Sequence, residues 1–120
     1  CLIPQVKGMS GNIHVRSIVG RFLEHTRVYY FEHGGEKKLY CASADWMGRN
    51  LFSRVETCFP ILDASLKKRI FKDGLINYLQ DNQNAWELQS DGQWKKAACT
   101  DPAQAHSAQC LLMEQKMLKV

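Results

Sequence analysis

The segment from Arg27 to Ala42 constrains the fold most, because it has the pattern of two strands joined by a tight turn. Residues 27–31 are rich in β-branched and aromatic side chains, which favour strands. Residues 33–37, His-Gly-Gly-Glu-Lys, are typical of a turn, and residues 38–42 supply a return strand. The sequence therefore predicts an antiparallel β-hairpin here.

Similar patterns predict the remaining elements. Apolar residues at helical spacing between Ala64 and about Gln80, directly after the favourable N-cap residue Asp63, indicate an amphipathic helix. The pair Asp91-Gly92, between two runs that contain tryptophan, predicts a second hairpin. We further expect a short strand at residues 13–17, a short helix at 18–23, an irregular stretch at 49–51, a strand at 54–59 ended by Pro60, and a last helix at 103–119.

The alternation of strands and helices predicts an α/β fold, with a mixed sheet, flanking helices and antiparallel hairpins. The chain has 120 residues, of which 45% are hydrophobic and 23% charged, so we expect one soluble globular domain over residues 1–120. No apolar stretch approaches the roughly 18 residues that a transmembrane helix needs, and no basic-then-apolar stretch marks secretion, so we expect no secretory leader. The first residue is Cys rather than Met, and we expect the chain to be a piece of a longer protein.

The cysteines indicate the cellular compartment, and the net charge indicates the kind of partner. The five cysteines are widely scattered without a Cys-x-x-Cys pair, which indicates buried free thiols in a reducing compartment rather than a metal site or a disulfide framework. We therefore expect a cytoplasmic protein and leave peripheral membrane association open. The net charge of +4 favours anionic partners. Nucleic acid is not expected, because zinc-finger spacing, an RNA-binding aromatic signature and a dense basic run are all missing.

His25 and Arg27 form the first candidate site. Side chains at positions i and i+2 of an extended strand point to the same face, so these two should project together, beside the turn at Ser43. An imidazole that can hold a proton or attack phosphorus, next to a fixed cation, suits phosphoryl transfer. From this pair alone the alternative is a solvent-facing polar pair on a half-buried strand, since His-x-Arg is a weak pattern.

The surrounding spacing resembles a known superfamily. His25-x-Arg27-x4-Glu32 is similar to the His-x-Lys-x4-Asp motif of the phospholipase D superfamily, with Arg in place of Lys and Glu in place of Asp. Downstream, residues 43–45 (Ser-Ala-Asp) and 54–56 (Arg-Val-Glu) resemble the Gly-Ser-Ala-Asn and Asn-x-Glu elements that follow that motif. That superfamily pairs two such halves around one phosphate. The resemblance therefore implies a phospholipase D-like half-domain whose partner half lies upstream.

A longer resemblance, through essentially the whole chain, is to the last domain of the polyphosphate kinases. It implies reversible transfer of the terminal phosphate of ATP to inorganic polyphosphate, through a phosphohistidine in the preceding domain. It also implies magnesium bound with ATP, with no magnesium ligands expected within this chain. His25 matches the second essential histidine of that family. The resemblance is carried by residues 15–25, 29–35, 43–47, 49–51, 81–83 and 85–86.

The motif residues receive roles from this resemblance. His25 is expected to be catalytic, as a proton donor or acceptor or as a stabiliser of charge on the phosphate. Arg27 is expected either to bind phosphate oxygens or to form an ion pair that orients a neighbouring acid. Ser43 is expected to shape its turn and, as a second choice, to contact substrate. The carboxylates expected to orient other groups are Glu32, Asp45 and Glu56; solvated surface or packing is expected for Arg49, Arg54, Trp46, Trp86 and Trp94.

The resemblance also implies partners and leaves two alternatives. The partners are ATP or ADP, inorganic polyphosphate and the remainder of the same polypeptide, with a homo-oligomer in the complete enzyme. One alternative is a phospholipase D-type half-domain that hydrolyses or transfers a phosphodiester. The other is a non-catalytic module that binds polyanions, which the basic charge alone supports.

Overall fold

The computed structural model describes residues 2–117, which divide into two compact units. We call residues 24–77 the central unit, and residues 2–23 with 78–117 the terminal unit. The expectation of one domain over residues 1–120 stays a prediction. In chain order the elements are β1 (Arg16–Ile18), β2 (Val28–His33), β3 (Glu36–Ala42), α1 (Gly48–Ser53), β4 (Cys58–Pro60), α2 (Ala64–Phe71), a π-helical segment (Lys72–Ile76), α3 (Asn77–Leu79), β5 (Ala85–Leu88), β6 (Trp94–Lys96), a 3₁₀ turn (Pro102–Gln104) and α4 (Ala108–Met117).

The predicted first hairpin is confirmed as β2 and β3 of the central unit. The two strands pair antiparallel from Val28 opposite Cys41 to His33 opposite Glu36. Gly34 and Gly35 in the turn have φ angles of 56° and 84°, a conformation that glycine adopts without steric cost. β4 pairs with the other edge of β3, which completes a three-stranded sheet in the order β2-β3-β4.

The connection between β3 and β4 differs from the prediction. The stretch expected to be irregular belongs to helix α1, and the strand predicted over residues 54–59 is limited to β4. The side chain of Asn50 in α1 is almost fully buried and donates a hydrogen bond to Glu56. This tertiary contact explains why a sequence of weak helical preference forms a short helix.

The predicted amphipathic helix is confirmed as α2, with a change of winding after it. The Asp63 carboxylate accepts a hydrogen bond from the Leu66 backbone N–H at 2.8 Å and caps the helix. The chain then passes through the π-helical segment, in which Gly74 lies close to β2. A Cβ atom added at Gly74 would be 3.2 Å from Cγ2 of Val28, so this close approach favours glycine.

The terminal unit has its own sheet. Strand β5 pairs antiparallel with both β1 and β6, in the order β1-β5-β6. The predicted hairpin at Asp91-Gly92 is confirmed, and Gly92 has a φ angle of 83°. Every strand pairing in the described residues is antiparallel, as short hairpin connections require. The predicted α/β class with antiparallel hairpins is confirmed, but two antiparallel sheets take the place of the mixed sheet.

Two helix predictions in the terminal unit were wrong in detail. Residues 18–23 form no helix, because the Phe22 backbone N–H and C=O bond the side-chain amide of Gln109. The last helix begins at Ala108 rather than at residue 103. Backbone N–H groups between residues 103 and 108 bond to side chains instead of forming a helix: Asn82 accepts from the His106 N–H, and Asp81 accepts from the Ala108 N–H. Residues 118–119 of the predicted helix lie outside the described part. Among the described residues, no helix is both long and apolar enough to cross a bilayer.

Candidate functional site

His25 and Arg27 lie together in the central unit, as their spacing predicts. An Arg27 Nη2 atom is 3.1 Å from His25 Nδ1, and Nη1 donates to the His25 backbone carbonyl at 2.9 Å. The Nε–H of Arg27 donates to Asp45 Oδ1 at 2.8 Å. Arg27 therefore joins the candidate catalytic histidine to an acid from the following turn, which is the ion pair that the sequence left as one of two options.

The hydrogen bond between Arg27 and Asp45 shifts the pKa of both groups. The hydrogen bond from Arg27 holds the pKa of the Asp45 carboxyl below its ordinary value, and the nearby His25 and Arg49 act in the same direction. The same bond raises the pKa of Arg27 further. Asp45 is therefore a carboxylate at neutral pH, and its place in the cluster comes from the tight turn after β3.

A second carboxylate, Glu56, is held by neutral donors. Its oxygens accept hydrogen bonds from the Ser43 hydroxyl and from Asn50 Nδ2, the latter at 2.9 Å. These bonds, with the positive charges of Arg54 and Arg27, lower the pKa of Glu56. Ser43 also accepts from the Thr57 backbone N–H at 3.0 Å, so its hydroxyl fixes the turn as predicted. Both Ser43 hydrogen bonds are thus made within the protein.

The structure adds one residue that sequence reasoning missed, Asn50, and brings two arginines that were expected at the solvated surface near the cluster. Asn50 orients Glu56 through a hydrogen bond. The sequence did not indicate this contact, because residues 49–51 were expected to be irregular and not to place Asn50 beside Glu56. Arg49 lowers the pKa of Asp45 and Arg54 that of Glu56, so both guanidinium groups lie near the cluster. In the described part of the chain neither side chain forms a salt bridge. The guanidinium groups of Arg49 and Arg54 are therefore available to an anion.

The structure does not bring Glu32 into this cluster. Glu32 lies at the hairpin end of β2, where it accepts from the Tyr30 hydroxyl at 3.0 Å and pairs with Lys37 at 3.7 Å. Strands rise about 3.3 Å per residue, so the length of β2 separates Glu32 from His25. The resemblance to the superfamily motif therefore fits its first two positions better than its third.

An open pocket of about 390 Å³ adjoins the cluster in the central unit. Glu56 forms one wall, and aromatic residues that include Tyr29 and Trp46 line another. These two rings stack with centroids 5.6 Å apart, and 76% of the Trp46 surface is exposed. Trp46 was expected to pack in the core or against a hairpin; it packs against Tyr29 of the hairpin but lies on the rim of the pocket rather than in the core.

The carboxylates of the cluster do not suit magnesium. Asp45 is committed to Arg27, Glu56 to Ser43 and Asn50, and the adjacent groups are guanidinium ions that would repel a divalent cation. We therefore assign no metal step to these residues. An imidazole in contact with one arginine, with two more arginines near the same cluster, suits a multiply charged oxyanion such as phosphate.

Comparisons with known proteins agree with this chemistry. The sequence family described as polyphosphate kinase C-terminal domain 2 matches residues 1–109. The chain belongs to the polyphosphate kinase family. It is 58% identical over 113 residues to a polyphosphate kinase of Xylella fastidiosa strain Temecula1, and 53% identical over 114 residues to one of Pseudomonas aeruginosa. These alignments cover 94% and 95% of this chain but 16% of each relative, so the chain spans about a sixth of their length.

The fold is similar to part of a solved polyphosphate kinase. The crystal structure of polyphosphate kinase from Porphyromonas gingivalis matches with a TM-score of 0.87 and 34% identity, over 99% of this chain and 18% of that one. The match supports the α/β fold described above and places the chain in the C-terminal part of polyphosphate kinase architecture.

Proposed function

We propose that this chain supplies part of the active site of a polyphosphate kinase, which transfers the terminal phosphate of ATP reversibly to inorganic polyphosphate. The observation that supports this proposal most is the contact between His25 and Arg27. Asp45 holds Arg27 in place, so an imidazole lies beside a cation in a chain of this family. His25 acts directly on the transferred phosphate. Arg49 and Arg54 bind its oxygens or those of the polyphosphate chain, since charge stabilisation and positioning provide most of the catalysis in phosphoryl transfer.

The remainder of the reaction belongs to the rest of the polypeptide. We propose that the phosphohistidine lies in an upstream domain and that magnesium arrives with ATP. Exposed apolar side chains beside the cluster, including Trp46, Met47 and Leu51, support an upstream partner half that covers this face. A cytoplasmic location and a homo-oligomer of the complete enzyme are part of the same proposal.

A chimera tests this function. The matched 113 residues of the Xylella enzyme would be replaced by this chain, and polyphosphate synthesis from ATP would be measured against the parent and against a version that lacks the segment. We expect synthesis by the chimera, and none by the deletion or by the isolated chain. A chimera that folds and assembles like the parent but makes no polyphosphate would contradict the proposal.

The same assay separates the alternatives. A phosphodiester-cleaving half-domain would act on a phosphodiester and would leave ATP-dependent synthesis unsupported. A module that only binds polyanions would support synthesis equally well after His25→Ala. Each outcome gives a different pattern from the one expected here.

A further inference from the structure

In the contact between Arg27 and the His25 ring, the chemistry of the two groups decides which atom donates the hydrogen bond and which accepts it. A guanidinium group donates hydrogen bonds, accepts none and keeps its charge at any ordinary pH. The Arg27 Nη2 atom at 3.1 Å from His25 Nδ1 must therefore donate, and Nδ1 must accept with its lone pair. A neutral imidazole whose Nδ1 accepts carries its single proton on Nε2.

The guanidinium is held in the position that makes this contact. Asp45 accepts from Nε at 2.8 Å, and the His25 carbonyl accepts from Nη1 at 2.9 Å. With the Nδ1 contact, three separate donors of one planar group are in use, and the Arg27 side chain is only 21% exposed. A planar group held at three points has little freedom to turn away from the ring.

The other ring nitrogen of His25 is available. Among the hydrogen bonds of the described residues, none involves Nε2 of His25. The tautomer that carries its proton on Nδ1 would direct an N–H at the donors of Arg27, so the contact disfavours that tautomer. This leaves an Nε2–H group that can donate a hydrogen bond outward.

We infer that Arg27 is a positioning residue for His25, which it holds in the Nε2–H tautomer so that this N–H donates to a phosphate oxygen. The inference rests on the proposed function and specifies the role of His25 there: its Nε2–H donates a hydrogen bond to the phosphate. It also assigns Arg27 away from direct phosphate binding. Three of the five N–H donors of its guanidinium are used within the protein, whereas Arg49 and Arg54 have no salt bridge within the described residues.

The tautomer can be read directly from ¹⁵N chemical shifts of the imidazole in this chain, labelled at histidine, near neutral pH. His25→Gln identifies the His25 signals by their loss. We expect Nδ1 of His25 to have the shift of an unprotonated nitrogen and Nε2 that of a protonated one. A protonated Nδ1 in the unaltered chain would overturn the inference, whatever the variants show.

Two substitutions test the role of Arg27 in the same spectrum. Arg27→Lys keeps the charge, but its single nitrogen cannot hold Asp45, the His25 carbonyl and Nδ1 together, so we expect the tautomers to mix. Asp45→Asn is the matched control, because its amide oxygen can still accept from Nε, and the tautomer should persist. An unchanged His25 signal in Arg27→Lys would contradict the positioning role.

Kinetics of the chimera give a second readout. Loss of a hydrogen bond that orients a metal-binding histidine typically lowers activity about 10- to 100-fold, and by analogy we expect Arg27→Lys to lower kcat by about that factor, with little change in the KM for polyphosphate. A raised KM with kcat retained would show that Arg27 binds phosphate instead. His25→Gln, which keeps an N–H donor, should retain more activity than His25→Ala.

The two proposals fail separately. The tautomer is measured without substrate, so a chimera that makes no polyphosphate would reject the proposed function and leave the tautomer result standing. A wrong tautomer in an active chimera would reject only the inference about Arg27.

Discussion

The two units contain the same types of charged residue, yet they use them differently. In the terminal unit Asp81 is fully buried and accepts from the backbone N–H groups of Gln83, Asn84 and Ala108. In the central unit the Asp45 side chain is 43% exposed and its hydrogen bond comes from the Arg27 side chain. One aspartate closes loops, and the other holds a cation in place.

The arginines differ in the same way. Arg16 donates to the backbone carbonyls of Leu79 and Asp81 and to the Glu87 carboxylate, at 2.7 Å for the last. Arg27 contacts the candidate catalytic histidine and keeps two N–H donors uncommitted. The bonds of Arg16 and Asp81 join separate segments of the terminal unit, whereas those of Arg27 and Asp45 hold a cluster at an open surface, where its groups are available for chemistry. The predictions below test this distinction.

The largest effect on stability is expected from Asp81→Ala. Three backbone N–H groups would lose their acceptor, and a hydrogen bond to a charged group contributes about 1.5–3 kcal/mol, so we expect the free energy of unfolding to fall by about 3 kcal/mol or more. Urea unfolding of the chain measures this. Asp45→Ala, which leaves no backbone group unpaired, should cost much less. Equal losses in the two variants would remove the distinction between the units.

Arg16→Ala and Arg27→Ala should separate stability from activity. We expect Arg16→Ala to lower the free energy of unfolding by about 2 kcal/mol, since hydrogen bonds to charged groups contribute about 1.5–3 kcal/mol, while the folded chimera keeps its kcat. Arg27→Ala should lower kcat with a smaller loss of stability. Unfolding of the chain and synthesis by the chimera, measured on both variants, check the pair.

Acid should weaken the central unit through its two carboxylates. The pKa values of Asp45 and Glu56 are lowered in the folded state, from ordinary values of 3.8 and 4.5. Their contribution to stability is therefore complete above about pH 5 and is lost as the pH falls through and below those values.

The double variant Asp45→Asn, Glu56→Gln tests the acid effect. Its unfolding free energy should depend less on pH between neutrality and about pH 3 than that of the unaltered chain. Some dependence of the unfolding free energy on pH should remain because of Asp63. Hydrogen bonds donated by the Ser65 hydroxyl and the Leu66 N–H also lower the pKa of Asp63. The same slope in both proteins would show that the two carboxylates do not titrate as described.

The smallest effect concerns two cysteines of the central unit. Cys58 is exposed and lines the pocket beside the cluster, whereas burial raises the pKa of the half-buried Cys41 thiol. Because the thiolate is the reactive form, an alkylating agent should modify Cys58 before Cys41 near neutral pH. Mass spectrometry of digested protein measures the order. Faster modification of Cys41 would mean that this pocket is not open to solvent.

Local signals predicted much of the fold. The Gly34-Gly35 and Asp91-Gly92 pairs predicted both hairpins, and Asp63 predicted the start of α2. These predictions succeeded because turns and helix caps depend on neighbouring residues. The absence of a helix at residues 18–23 and the late start of α4 could not be predicted. They depend on Gln109, Asn82 and Asp81, whose side chains replace helical hydrogen bonds from far along the sequence.

The candidate site shows the same limit. Strand spacing predicted that His25 and Arg27 would lie together. The pairing of Arg27 with Asp45, and of Glu56 with Ser43 and Asn50, depends on how the turn after β3 meets α1 and β4. A motif position such as Glu32 can match in spacing and still lie at the far end of its strand.

The most direct test of the account is the rate of polyphosphate synthesis by the chimera with His25→Ala, compared with His33→Ala as a matched histidine in the same hairpin region. A hydrogen-bond donor that stabilises charge in the transition state typically contributes about 10²–10³-fold, and we expect His25→Ala to lower the rate by at least ~10² with nearly unchanged stability. His33→Ala should be close to silent. A His25→Ala enzyme with near-normal rates of synthesis would show that the active site lies elsewhere.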